Sequence, residues 1–83
     1  MNEKMSKRQL ELRLKRMSYL AQTEIRVERW APGDKAKYRV MRARSDGGED
    51  KMSQYVPYNQ LEAIIDAMQN VFELMSERGL NYY

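Results

Sequence analysis

Histidine and cysteine are both absent from these 83 residues. With them go disulfide bridges, thiolate nucleophiles, the side chain that titrates near neutral pH and the soft ligands of a zinc site. A small core without cross-links is held by packing or by association, and a chain without cysteine suits a reducing, cytoplasmic setting. The opening stretch, Met1-Asn2-Glu3-Lys4-Met5-Ser6-Lys7-Arg8, is charged where an export signal would be apolar, which adds to that expectation. No apolar run approaches the roughly 18 residues that a membrane span needs. The 4 glycines and 2 prolines form no phosphate-cradling loop: Gly33, Gly47, Gly48 and Gly79 each fall where a turn or a helix end is expected. The acidic loop Asp46, Glu49, Asp50 lacks the alternating oxygen spacing of a calcium site. No Asp/Glu pair has a context suited to two-carboxylate catalysis. No metal, cofactor or small-molecule substrate is expected, and the chain reads as a non-enzymatic protein.

What is present is a clean switch of periodicity. Leu10, Leu14, Met17 and Ala21 recur at helical spacing, and Ser6 followed by Gln9 matches a capping box, which predicts a helix over 6–21. From Thr23 the period becomes two: Ile25 and Val27 on one side, Glu24, Arg26, Glu28 and Trp30 on the other. Ala31-Pro32-Gly33-Asp34 carries the chemistry of a type II turn. A second strand is expected over Lys37–Arg44. The Asp46-Gly47 pair signals a hairpin, and a third short strand is expected at about 51–56. Asn59 with Glu62 reads as a second capping box, opening a long helix over 59–78. Leu61, Ile64, Ile65, Met68, Val71, Phe72 and Met75 form its apolar side, and Gly79 sits where a left-handed cap belongs. The expected fold is α+β: a helix, a three-stranded antiparallel sheet and a long C-terminal helix packed on one face of the sheet (αβββα). Residues 1–83 make one small domain with flexible ends at 1–5 and 80–83.

The net charge of +3 hides a strong polarity. Residues 1–44 hold 13 Lys/Arg against 5 Asp/Glu, whereas residues 45–83 hold 2 against 7. The acidic residues Glu62, Asp66, Glu73 and Glu77 line one stripe of the second helix without a basic neighbour. Either they are solvated or a basic element such as the first helix covers them. On the first helix Arg8, Lys15 and Arg16 interleave with Leu12 and Tyr19 opposite the core side. That surface suits a phosphate backbone or a partner helix, or else Leu12 and Tyr19 finish the core. On the sheet, Val40 and Met41 point to opposite registers of the middle strand. In one register Arg26, Trp30, Arg39, Ser53 and Tyr55 share the outer face; in the other Tyr38, Arg42 and Arg44 do. Arginines beside aromatic rings suit nucleic acid, by phosphate or guanine contacts and by ring stacking.

The helix, three strands, helix order resembles the double-stranded-RNA-binding domain, a family that meets phosphates through a basic cluster at the start of its last helix. The corresponding stretch here is Pro57-Tyr58-Asn59-Gln60-Leu61-Glu62, without Lys or Arg, so the resemblance implies the topology and not that contact. The segment from Ile25 to Met75 is also similar in order to the three-stranded-sheet-plus-helix domains of phage and transposon integrases. That resemblance implies a DNA contact through the sheet by Arg26, Arg39 and Arg42. Small size, methionine content and the lack of catalytic groups resemble short accessory proteins of phages and mobile elements.

The expectation is therefore a small binding module, an accessory or regulatory protein that engages nucleic acid, DNA foremost, through Arg8, Lys15, Arg16, Arg26, Trp30, Arg39, Arg42, Arg44 and Tyr55. The alternative is a protein-binding inhibitor or adaptor, homodimeric or docking on an acidic protein surface. It would use Leu12, Tyr19 and Leu74 as apolar anchors, with Ala63 and Ala67 beside Leu74 permitting close approach.

Overall fold

A computed structural model describes residues 5–33 and 35–79. Ser6 caps α1 (Lys7–Ala21) by the expected reciprocal pair. The Gln9 N–H donates to the Ser6 hydroxyl at 3.1 Å, and the Ser6 N–H to the Gln9 side chain at 3.0 Å. At its far end Gln22 turns the chain in the left-handed conformation (φ 58°, ψ 31°). The N–H groups of Gln22 and Thr23 return there to the carbonyls of Tyr19 and Ser18, which satisfies the last helical acceptors. Ser18 then ties the helix to the sheet, its hydroxyl accepting from the Ile25 N–H at 2.9 Å.

β1 (Ile25–Trp30) pairs antiparallel with β2 (Lys37–Ala43), Val27 facing Val40. Opposed residues share a face, so this register settles the middle strand. Ile25, Val27, Tyr38, Val40 and Arg42 point to the inner side; Arg26, Glu28, Trp30, Lys37, Arg39 and Met41 point outward. The connecting turn is not the expected type II, because Gly33 does not take a positive φ. The ladder ends at Trp30 and Lys37, so six residues span the gap and no tight reversal is needed; Asp34 lies outside the described residues. The second hairpin does form on Asp46-Gly47. Gly47 takes φ 90°, with its N–H on the Arg44 carbonyl and the Arg44 N–H on the Gly48 carbonyl, a type I turn closed by a glycine bulge.

β3 is shorter and earlier than expected, Glu49–Lys51, with a separate bridge from Tyr38 to Val56. Between these two points the chain from 52 to 55 bulges, and the Val40 N–H turns to the Ser53 hydroxyl at 2.9 Å. A side chain has replaced a ladder carbonyl, which interrupts the strand. Pro57 begins α2 (Tyr58–Glu77), its carbonyl accepting from Gln60 and Leu61. The expected Asn59 cap is not made: no side chain caps this helix. Tertiary contacts set the start instead, since Tyr58 packs edge-on against Tyr38 at 5.2 Å and donates its hydroxyl to the Met5 carbonyl at 2.9 Å. Met5, assigned from sequence to a flexible end, is buried; residues 1–4 and 80–83 of those ends lie outside the described residues. Gly79 takes φ 71° just past α2, as expected.

Both helices lie on the inner face, α1 against β1 and α2 against β2. They run in the same direction, for Met5 meets Tyr58, Arg13 meets Asp66 and Arg16 meets Glu73. The core between helices and sheet comprises Met17, Ala21, Ile25, Val40, Leu61, Ile65 and Phe72. Val71, expected in the core, is 52 % exposed, and Met75 only half-buried. At 100° per residue Val71 falls well round the helix from Phe72 and Ile65, which take the central line. The α+β fold is thus a helix, a three-stranded antiparallel sheet and a C-terminal helix. Among the described residues no helix is long and apolar enough to cross a membrane.

Candidate nucleic-acid interface

The outer face of the sheet has no helix over it, and the strand register brings Arg26, Trp30 and Arg39 there with Tyr55 from the bulged segment. Trp30 and Tyr55 stack at 5.1 Å between centroids with a 36° tilt. The Arg39 guanidinium lies 4.3 Å from the Tyr55 centroid, a distance at which ring and cation attract. Glu28 binds this group together: it accepts from the Tyr55 hydroxyl and from Arg39 at 2.8 Å. The bond from Tyr55, foremost, holds the Glu28 carboxyl below its ordinary range, and the same bond pushes the Tyr55 phenol up.

A second pair spans the middle strand. Arg26 on β1 donates through Nε and Nη2 to both oxygens of Glu49 on β3, each at 2.6 Å. Met41 and Ala43 of β2 are the register partners of these two residues. Met41 is buried there although it faces away from the core, beneath a roof of charged side chains. The fork-to-fork bond holds the Glu49 carboxyl low.

The residues singled out from sequence do not form one surface. Arg26, Trp30, Arg39 and Tyr55 meet on the outer face. Arg42 is opposite Ile25 on the inner side, its side chain 12 % exposed, and it donates to Asp50 at 2.7 Å. Arg44 lies in the hairpin loop, engaged by Asp46 and Asp50. All three carboxylates of the acidic loop are therefore held by arginines. On α1, Arg8, Leu12, Lys15 and Tyr19 are exposed and point away from the core by helical rotation, on the far side of the molecule from the outer sheet face. Arg16 turns instead toward α2, donating to Glu73 at 2.8 Å with its guanidinium 5.8 Å from the Tyr19 ring. Arg13 likewise meets Asp66. The first helix is thus the basic neighbour of Asp66 and Glu73, whereas Glu62 and Glu77 of the same stripe make no ion pair among the described residues. Leu12 and Tyr19 do not finish the core, being 57 % and 75 % exposed.

Sorting the cations by partner gives a pattern that sequence reading missed. Arg13, Arg16, Arg26, Arg39, Arg42 and Arg44 are all ion-paired. Among the described residues no lysine is, nor are Arg8, Arg29 and Arg78. On the outer face the unpaired cations are Lys37, directly opposite Trp30, and Lys51, directly opposite Met41. Exposed Arg29 and Lys35 stand at the Trp30 end of the sheet. Alternation within Lys37–Ala43 could have revealed Lys37, two residues before Arg39 on the same face. Lys51, two residues before Ser53 on the expected third strand, could have been found by the same alternation.

No protein-family model, no curated protein and no solved structure matches this chain.

Proposed function

We propose that this chain is a non-enzymatic nucleic-acid-binding module, an accessory or regulatory protein whose contact surface is the outer face of the sheet. The observation that carries the reading is the exposed Trp30 with unpaired Lys37 beside it and unpaired Lys51 farther along the same face. An aromatic face with ammonium groups around it is what polyanions with stackable bases bind. The arginines play a different part from the one their number suggests. Six of them have carboxylate partners, so they hold strands and helices together and contribute little free charge. The start of α2 has no cation and Asp66 and Glu73 follow it, which leaves the sheet rather than the last helix as the contact.

Titration of labelled duplex DNA, single-stranded DNA and duplex RNA at about 50 and 200 mM salt tests this. The expected result is binding that weakens with salt and a shallower log–log salt dependence in the double variant Lys37→Gln/Lys51→Gln, by about 0.7 to 0.9 for each phosphate no longer neutralised. Absence of binding to all three at the lower salt would overturn the reading. Charge reversal of Arg26 or Arg39 is a poor test, because it breaks ion pairs within the fold.

A protein partner is the second reading, favoured by α2. Ala63, Ala67, Val71 and Leu74 form an exposed stripe at helical spacing, the last two 52 % exposed each, and small residues there permit close approach of another helix. A homodimer through this stripe would sediment as such and be weakened by Leu74→Arg; a monomer at high concentration would remove it.

A further inference from the structure

We infer that the outer sheet face takes single-stranded nucleic acid, an unpaired base stacking on Trp30 while Lys37 beside it and Lys51 farther along hold phosphates of the same strand. This rests on the reading above and narrows it to a ligand class. Three observations lead to it.

The rings come first. Tyr55 is engaged by Trp30, by the Arg39 guanidinium and, through its hydroxyl, by Glu28. Trp30 has Tyr55 as its one ring partner among the described residues and is 47 % exposed. The result is a fixed platform with indole surface open to solvent. In a duplex each base face is covered by its neighbours in the stack, and protein meets base edges in the grooves. Indole surface on a sheet finds a free base face where a base is unstacked.

The arginine forks come second. Each arginine of this face already has a carboxylate that offsets its charge and fixes the orientation of its guanidinium. Arg26 spends Nε and Nη2 on Glu49, and Arg39 spends Nε and Nη2 on Glu28. What remains unpaired on this face is ammonium, a point charge that binds phosphate without selecting a base. The surface is built for stacking and charge, which tolerate sequence.

The third observation is spacing. Lys37 opens β2, and Lys51 sits opposite Met41, four residues along the same strand. At about 3.3 Å per residue the cations mark a track of about 13 Å, with Trp30 at one end. An extended strand can follow such a track with a phosphate near each lysine.

The experiment uses the full chain, an oligothymidine of about 20 nucleotides and a blunt duplex of the same length, at about 50 and 200 mM salt. Binding is followed by probe anisotropy and by the emission of Trp30, the sole tryptophan. The single strand is expected to bind about tenfold or more tighter than the duplex and to quench Trp30. Trp30→Ala is expected to lose about tenfold of that affinity, the scale of one base–aromatic stack, and Trp30→Phe to keep most of it. Circular dichroism melting of each variant separates binding loss from unfolding. Duplex binding equal to or tighter than single-strand binding, or an unchanged single-strand affinity in folded Trp30→Ala, would overturn the inference and leave the nucleic-acid reading standing. No binding to either probe would overturn the inference, and no binding to duplex RNA as well would remove both readings.

Discussion

The two faces of one sheet carry the same kinds of residue to opposite ends. On the inner face Ile25, Val27 and Val40 meet Met17, Leu61, Ile65 and Phe72, and complementary shape holds them: Met17, Val40, Leu61 and Ile65 are fully buried. On the outer face no helix among the described residues covers the strands, and the apolar residue at the centre, Met41, is buried beneath charged side chains. There the Arg26–Glu49 and Arg39–Glu28 pairs link strands as apolar contacts do within. The difference teaches that an arginine's exposure in sequence pattern says little about its availability. Which arginine is free depends on the carboxylate across the sheet, and the free charge falls to the lysines.

The largest break in this comparison comes from emptying the inner face. Ile65→Ala is expected to destabilise by about 2–5 kcal/mol, the transfer loss plus an unfilled cavity. Because Ile65 lies on the opposite side of the sheet from Trp30 and Lys37, a variant that remains folded is expected to keep the nucleic-acid affinity of the parent chain. Chemical denaturation followed by titration at a temperature where the variant is folded checks both halves. Trp30→Ala is the mirror experiment, with a large loss of binding and a small change in melting, since the residue is half-exposed.

The inner face was largely legible in the sequence and the outer face was not. Ser6 with Gln9, the spacing of Leu10, Leu14, Met17 and Ala21, the Asp46-Gly47 turn and Gly79 are local signals, complete within a few residues, and each is realised. The failures lie where a distant partner decides. Asn59 reads as a cap until Tyr58 is drawn into the helix by Tyr38 and Met5. The third strand reads as continuous until Ser53 takes the Val40 N–H. Arg26 looks free until Glu49, 23 residues on, closes over its fork. Val40 and Met41, adjacent and both apolar, left the middle register undetermined; both turn out to be buried, one on each face, which no single-faced pattern would suggest.

The smallest and sharpest prediction concerns the charged roof itself. Glu28 is held below its ordinary range by the Tyr55 hydroxyl and Glu49 by Arg26, so both shed protons more readily in the folded chain than in the unfolded one. A carboxyl with that sign contributes stability above the ordinary glutamate value near 4.5, and loses it as pH falls through the lowered native value. Tyr55 has the opposite shift and acts at the other extreme: its phenol keeps its proton longer when folded, so its contribution fades as pH rises past the ordinary value of 10. The outer face therefore closes the stability window from both sides. Melting temperatures of the parent and of Glu49→Gln measured from pH 7 down to about 3 test the acid side. The parent is expected to lose stability progressively below about 4.5 and the variant to lose less over the same range, one protonation having been removed from the cycle. Parallel curves would mean that the Arg26–Glu49 pair is not held in solution. In that same variant Arg26 is released, and single-strand binding is expected to steepen in salt by about 0.7 in log–log slope as one more cation reaches a phosphate. A steeper slope would show that the carboxylate, and not the position of the arginine, is what keeps this fork out of the binding surface.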